Sequence, residues 1–268
     1  MVNLKKSNFL SHHFVLFLTF IFLISCGEKK NFITRIEGKQ IAITNTTPEV
    51  SDPITSEQSR QIENFIKPYR EKIDRDMDEV LAYAPETLEK SKGEWQTTIG
   101  NLQADITLAS ANKIFKAREN KSVDVCLLNH GGIRSVISKG NVTTRTAYEL
   151  MPFENSLVVV ALKGEQIMEM VDYIIKEKKP HPLAGLTFVI DKNNTAKNIW
   201  ISGNPVDVEQ IYYVATNDYL YNGGDSMNFF KKGIHLYDLD YKLRNVWIDY
   251  FKEVDTIPVI RDERIRKE

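Results

Sequence analysis

The chain has 268 residues, of which 42% are hydrophobic, and it carries 35 Lys and Arg against 36 Asp and Glu. Charges of both signs are interspersed along the chain without a basic stripe, which excludes a protein built to bind nucleic acid. The length and the apolar content suffice for one large α/β domain with its own core.

The first residues predict a lipoprotein signal peptide. Lys5 and Lys6 precede an apolar run over residues 14–24, which Ser25, Cys26 and Gly27 follow. This run falls short of the roughly 20 apolar residues that a membrane-spanning helix needs. A chance cysteine behind an ordinary signal peptide is the alternative, but the small residue before Cys26 favours lipidation. We expect cleavage after residue 25, a lipid anchor on Cys26, and a location in the cell envelope, on its periplasmic or surface face.

Residues 26–53 are polar and threonine-rich and contain two prolines, which predicts a tether between the membrane and the folded part. The region 54–95 then predicts a linker helix. Within it, residues 56–83 place apolar side chains at spacings of three and four, which indicates an amphipathic helix with a possible kink at Pro68. The apolar stripe consists of Ile62, Phe65, Ile66, Tyr69, Ile73, Met77, Val80 and Leu81.

Residues 96–268 alternate between helical and strand patterns, which predicts a single mixed-sheet α/β domain. A helix is expected to begin near Asn101, and others at residues 165–176 and 239–251. Strands are expected at residues 123–128, 156–162, 186–190, 196–201 and 212–216. Cys126 lies in the first of these strands, where a lone cysteine is typically a small buried hydrophobe. With Cys26 lipidated, no intrachain disulfide is expected.

Four short segments carry polar and glycine residues at the ends of these elements. They are Thr98 to Asp105, with Gly100-Asn101 at a helix entry; Asn129-His130-Gly131-Gly132-Ile133-Arg134; Met151-Pro152-Phe153-Glu154-Asn155-Ser156; and Thr216 to Asp225, with Tyr219, Gly224 and Asp225. Paired glycines let a backbone approach a ligand, and Arg offers a planar fork for phosphate or carboxylate. Taken singly, each segment also fits an ordinary role as a turn, a helix cap, a core aromatic residue or a surface Arg.

In this order and at these spacings, the four segments resemble the C-terminal, substrate-binding domain of the 5′-nucleotidase family. The matching patterns are Gly-Asn-Leu-x-Ala-Asp, Asn-Gly-Gly-Gly-Ile-Arg, Pro-Phe-x-Asn and Asn-(aromatic)-x-x-x-Gly-Gly-Asp. The resemblance covers roughly residues 96–262, and the preceding helix looks similar to the interdomain helix of the family. Two departures are His130, where the family usually has Gly, and Tyr219, where Phe is common.

The resemblance implies a nucleotide pocket. Phe153 and Tyr219 would stack on the two faces of a nucleobase, Asn155 would bind the base edge, and Asp225 would hold the ribose hydroxyls. Asn129 and Arg134 would approach ribose and phosphate, with Gly131, Gly132 and Gly224 giving the loops their close approach. The family also places an Arg shortly before the Gly-Asn helix entry. Residues 90–98 contain no Arg, and their cations are Lys90 and Lys92. This departure is expected to lower the affinity for phosphate. His130 is expected to be a neutral space-filler rather than a catalyst.

The family hydrolyses phosphate esters with two metal ions held by Asp-x-His, Gly-Asp and Gly-Asn-His-Asp/Glu segments of an N-terminal calcineurin-like domain. None of these segments occurs in the sequence. Because such a site needs several His and Asp ligands, we expect no metal and no catalytic residue on this chain, and no hydrolysis by the chain alone. Divalent metals are expected on a separate calcineurin-like metallophosphatase.

Two classes of function follow. In the first, the chain is the nucleotide-binding subunit of a split 5′-nucleotidase, with the metallophosphatase as its partner. In the second, it is a stand-alone nucleotide-binding lipoprotein without catalysis. An exposed apolar patch on the helix predicted over residues 56–83 would favour the first class, because a separated domain leaves a contact face exposed.

Overall fold

The structure is a computed structural model that describes residues 57–268, with side chains from residue 60 onward. The signal peptide at 1–25, the tether at 26–53 and Cys26 lie outside the described residues and remain predictions. In the described part the helices are α1 (Glu57–Asp78), α2 (Thr98–Glu119), α3 (Thr144–Leu150), α4 (Gly164–Glu177), α5 (Asp218–Tyr221) and α6 (Leu243–Glu253). The strands are β1 (Val80–Ala84), β2 (Val125–Leu127), β3 (Gly140–Thr143), β4 (Ser156–Lys163), β5 (Leu183–Ala184), β6 (Leu186–Ile190), β7 (Ala196–Ile201), β8 (Asn204–Pro205), β9 (Ile211–Asn217), β10 (His235–Lys242) and β11 (Ile265–Lys267).

A five-stranded sheet in the order β10-β4-β9-β2-β5 forms the centre of the fold. β2 and β9 are parallel, whereas the pairs β10–β4, β4–β9 and β2–β5 are antiparallel. A second sheet has the order β11-β6-β7-β8, and β1 pairs with β3 in a separate ribbon. The expected α/β fold with a mixed sheet is therefore confirmed.

Both faces of the central sheet are covered, which explains the continuous apolar run of β4. Leu157 and Val159 face a core shared with α2 and α6, where Phe115 and Trp247 are fully buried. The alternate strand residues Val158, Val160 and Leu162 face a second core, which α4 and the second sheet complete. A strand with two buried faces needs apolar side chains at every position. Cys126 belongs to the first core and is fully buried, as expected.

The helix predicted over residues 56–83 is too long at its C-terminal end. α1 ends at Asp78, and residues 80–84 form β1, in which Val80 pairs with Thr143 and Ala84 with Gly140. Val80 and Leu81 continue the helical spacing, but they lie in a strand because β3 supplies a hydrogen-bonding partner from about 60 residues further along the chain.

The helix predicted over residues 239–251 begins too early. α6 starts at Leu243, because residues 235–242 form β10 at the edge of the central sheet, where Tyr237 pairs with Val159. Leu239, Leu243 and Val246 have helical spacing, so the sequence pattern does not indicate that the strand ends at Lys242. The strands predicted at 186–190 and 196–201 have the bounds of β6 and β7, and the one predicted at 123–128 is shorter, as β2.

Candidate functional site

The topology brings the four motif segments to the border of the central sheet at which β2 and β9 end, here named the sheet edge. The segments at 129–134 and 218–225 follow the C-terminal ends of the parallel strands β2 and β9. β4 runs antiparallel to β9, with Leu157 opposite Asn217, so the segment at 151–156 enters the sheet at the same edge. The N-terminus of α2 lies there too, since Gly100 packs near Pro182, whose carbonyl accepts from the Leu128 amide. Ligands of open α/β sheets bind at this kind of edge.

The loop after β2 presents Arg134 to solvent and buries Asn129. The Asn129 side chain packs on the loop's own backbone, because a Cβ added to Gly132 would lie 3.0 Å from Asn129 Oδ1. Gly131 is exposed beside it. The Arg134 amide donates to the carbonyl of Leu150 at 2.9 Å, and this bond ties the loop to the Phe153 segment.

Phe153 lies on the loop between α3 and β4 with 41% of its surface exposed. The Arg134 guanidinium carbon lies 5.8 Å from the centre of its ring, within the range of a cation–π contact. Asn155, two residues further on, is half-buried, and its backbone carbonyl accepts from the Leu243 amide. The sheet edge therefore exposes one aromatic ring next to a cationic side chain.

Tyr219 lies on the single turn of α5 with 44% of its surface exposed, and its hydroxyl donates to Asp225 Oδ1 at 2.9 Å. The carboxylate that accepts this proton raises the pKa of the Tyr219 phenol. Gly224 permits the contact, since a Cβ at this position would lie 2.4 Å from the Tyr219 ring. Asp218 joins this segment to the Phe153 segment, because its Oδ1 accepts from the Ser156 amide at 3.1 Å.

The buried imidazole of His181 lies between the loop that contains Gly131 and Gly132 and the side chain of Tyr173, which contacts the loop that contains Gly224. The Nδ1 atom of His181 accepts from the His130 amide at 3.2 Å, and its ring packs 5.7 Å from the ring of Tyr173. The Tyr173 hydroxyl in turn donates to the carbonyl of Asp225 at 2.7 Å. Burial lowers the pKa of His181 to about 4, and the charge that His130 carries when it is protonated acts in the same direction. The imidazole is therefore neutral at pH 7 and serves as an acceptor.

The His130 side chain is half-buried, and burial together with the nearby Lys90 charge lowers its pKa. Its expected role as a neutral space-filler stays a prediction. The sequence carries no sign that His130 lies next to His181 and Tyr173, because 51 residues separate the two histidines and neither His181 nor Tyr173 lies in a motif.

Lys90 contributes a second cation beside Arg134. Its ammonium donates to the carbonyl of Ile133 at 2.5 Å, and burial together with the Arg134 charge lowers its pKa. The repulsion between two like charges is relieved when an anion binds between them. In the sequence, Lys90 only lies near the position where the family has Arg. The tertiary structure places it beside the loop at residues 129–134.

Residues 57–268 contain no group of three or more His, Cys, Asp or Glu side chains arranged to hold a metal ion. The same described residues include no helix that is both long and apolar enough to cross a membrane. Burial raises the pKa of the Cys126 thiol, so this cysteine remains protonated at neutral pH.

The fold is an α/β domain whose loops at the sheet edge expose the aromatic rings of Tyr219 and of Phe153, which lies beside the cationic side chain of Arg134. Residues 80–232 match the family model described as "5'-nucleotidase, C-terminal domain". The chain therefore belongs to the 5′-nucleotidase C-terminal domain family.

Relatives of known sequence and structure agree with this assignment. The chain is 29% identical over 173 residues to the trifunctional nucleotide phosphoesterase protein YfkN of Bacillus subtilis, covering 59% of this chain and 11% of that protein. It is 24% identical to an apyrase of Tabanus yao, covering 90% of this chain and 45% of the apyrase. The structure of a 5′-nucleotidase precursor from Thermus thermophilus superposes with a TM-score of 0.65 at 25% identity, covering 78% of this chain and 43% of that one. The chain thus spans less than half the length of these relatives.

Proposed function

We propose that the chain is the nucleotide-binding subunit of a split 5′-nucleotidase and that a separate calcineurin-like metallophosphatase supplies the metals and the hydrolytic step. In this proposal Phe153 and Tyr219 stack on the base, Asn155 binds its edge and Asp225 holds the ribose. Arg134 and Lys90 neutralise the phosphate, with Asn129, Gly131 and Gly132 shaping the loop around it. The exposed rings and the adjacent cations fit a ligand that combines a flat aromatic base with an anion.

The observation that carries the split-subunit proposal is the exposed apolar stripe of α1. Ile62, Phe65, Tyr69 and Ile73 recur on one face of this helix, and each is between 60% and 69% exposed. The Phe65 and Tyr69 rings lie 5.8 Å apart and form one continuous patch. No residue of the described range 57–268 covers it.

An apolar stripe of this kind is typical of a surface that contacts another protein. The opposite end of α1 is held to the domain, because Arg145 of α3 forms ion pairs with Asp74 at 3.4 Å and with Asp78 at 2.8 Å. These ion pairs hold the C-terminal turn of α1 against α3, while the apolar stripe stays exposed to solvent. The matched relatives are more than twice as long as the matched region, which favours a metallophosphatase as the occupant of this surface.

Co-purification tests the proposal. Tagged wild-type protein from its native membranes should retain an identified metallophosphatase and show AMP hydrolysis that depends on a divalent metal. The chain purified alone should show neither bound metal nor hydrolysis. A variant with Phe65→Ser and Tyr69→Ser should lose both partner and activity, whereas Lys67→Ala with Glu71→Ala, an exposed ion pair on the same helix, should retain them.

Two results would overturn the split-subunit proposal: metal-dependent hydrolysis by the lone chain, or retention of the same partner by the stripe variant. The second candidate, a stand-alone nucleotide-binding lipoprotein, predicts AMP binding without any captured phosphatase. In both cases we propose a location in the cell envelope through a lipid on Cys26, on the basis of the lipobox and the short apolar run that precedes it.

A further inference from the structure

Arg244, at the start of α6, is buried beneath the loop that carries Phe153. Only 8% of the residue is exposed. Its Nε donates to the carbonyl of Met151 at 2.8 Å and its Nη2 to the carbonyl of Phe153 at 3.0 Å, while Nη1 lies 2.7 Å from Glu154 Oε1. The ring of Tyr148 stacks 4.2 Å from the guanidinium carbon. All three guanidinium nitrogens thus contact the loop, and the Tyr148 ring covers one face of the guanidinium.

The rest of this loop is also bonded to the first residues of α6. The ammonium of Lys242 donates to the carbonyl of Glu154 at 2.8 Å and to Ser156 Oγ at 2.9 Å, and the Leu243 amide donates to the carbonyl of Asn155 at 3.1 Å. Residues 151–155 lie outside helices and strands. The path of this loop is therefore set largely by donors from 242–244 rather than by a strand ladder.

The three contacts of Arg244 require a guanidinium. Its planar fork presents several N–H groups in fixed directions, so one side chain can bind two carbonyls and a carboxylate together. A Lys ammonium is a point charge on a flexible stem and does not reproduce this geometry. A cation with so little solvent exposure also requires such partners, because an unpaired buried charge is costly.

We propose that Arg244 is a positioning residue that fixes Phe153 in the orientation needed for stacking on the base. It acts through the carbonyls of Met151 and Phe153 and does not contact the ligand. This inference rests on the proposed nucleotide-binding function. Nothing in the four motifs indicated Arg244, which lies 91 residues beyond Phe153 in the sequence.

Labelling position 153 tests the positioning without any ligand. A Phe153→Trp variant labelled with 5-fluorotryptophan should give one fluorine resonance beyond those of the three native tryptophans. When Arg244→Lys is added, this resonance should sharpen and move toward the shift of the free amino acid. Adding Arg145→Lys should leave it unchanged, because Arg145 is exposed and pairs with α1 instead. Glu154→Gln, at an exposed carboxylate, should give a smaller change and serves as a second variant if Arg244→Lys does not fold.

A double-mutant cycle then tests the consequence for the ligand. Arg244→Lys should weaken AMP binding by about fivefold or more in calorimetry, from the loss of hydrogen bonds that orient the loop. In a Phe153→Ala background the same substitution should have little further effect, because the ring that it positions is gone. A merely structural role would weaken binding equally in both backgrounds.

The outcomes separate the two proposals. If the position-153 resonance and the AMP affinity are unchanged by Arg244→Lys and Glu154→Gln, Arg244 does not position Phe153. An equal loss of affinity with and without Phe153 overturns the inference in the same way. If wild type binds no nucleotide but the resonance still responds to Arg244→Lys, the positioning by Arg244 stands and the nucleotide-binding proposal fails.

Discussion

Removing one exposed ring from the sheet edge should weaken the binding of every nucleotide by a similar factor. Phe153 and Tyr219 are 41% and 44% exposed, so each presents an unobstructed part of its ring to solvent. Stacking of a base on an aromatic side chain contributes about 1–3 kcal/mol, which corresponds to roughly 5- to 140-fold in Kd. Because every base has a flat π-face, we expect AMP, GMP, CMP and UMP to lose affinity alike.

The Tyr219 ring carries a second contact that makes its loss distinguishable from that of Phe153. Its hydroxyl is bonded to Asp225, the residue proposed to bind the ribose. Tyr219→Phe should therefore retain the stacking and change only the contribution of the sugar, whereas Tyr219→Ala should lose both. Phe153→Ala should lose stacking and leave the sugar contact intact, so the affinity ratio between adenosine and 2′,3′-dideoxyadenosine should stay constant.

Calorimetric titration of the mature chain with the four nucleoside monophosphates measures these differences. Trp200→Ala is the matched control, since Trp200 is 39% exposed but lies on β7, outside the four motifs. The stacking interpretation is refuted if Phe153→Ala binds AMP as tightly as wild type. It is also refuted if its loss of affinity differs by more than about tenfold among the four bases, since stacking tolerates every base.

Arg134→Ala and Lys90→Met should each weaken AMP more than adenosine, because a charge-assisted contact to the phosphate is lost; equal losses for the two ligands in calorimetry would contradict this. Cys26→Ser should leave the chain unprocessed or released from membranes, and a variant that is cleaved and fractionates with membranes like wild type would disprove lipidation. His181 has a folded pKa of about 4 against an ordinary 6.5, so unfolded chains bind the additional proton and stability should fall by about 3 kcal/mol as the pH drops from 6.5 to 4. Denaturant titrations should show a weaker pH dependence in this window for His181→Gln than for wild type, and identical slopes would rule out His181 as the cause.

The order and spacing of the four motifs were sufficient to identify the domain from the sequence, and several of their residues have roles within their own segment. Gly224 is required where the Tyr219 ring approaches the backbone, and Asn217 caps α5 by accepting from the Leu220 amide. The runs of branched and aromatic residues in β4 and β9 likewise predicted strands, and these two strands pair at the centre of the sheet. Such features depend on residues that are near one another in the chain.

Other parts of the fold and of the site were decided only by contacts between distant segments. The start of β1 and the end of β10 continue the apolar spacing of the neighbouring helices, and pairing with β3 and β4 determined that these residues lie in strands. The cation Lys90 reaches the loop of Arg134 across 43 residues, and Arg244 reaches Phe153 across 91. A single Lys or Arg in a sequence carries no sign of which carbonyl it will bind, because that choice depends on how the helices pack on the sheet. The sequence by itself therefore determined the family and the residues expected to bind the ligand, whereas the tertiary structure decided which buried side chains hold those residues in place.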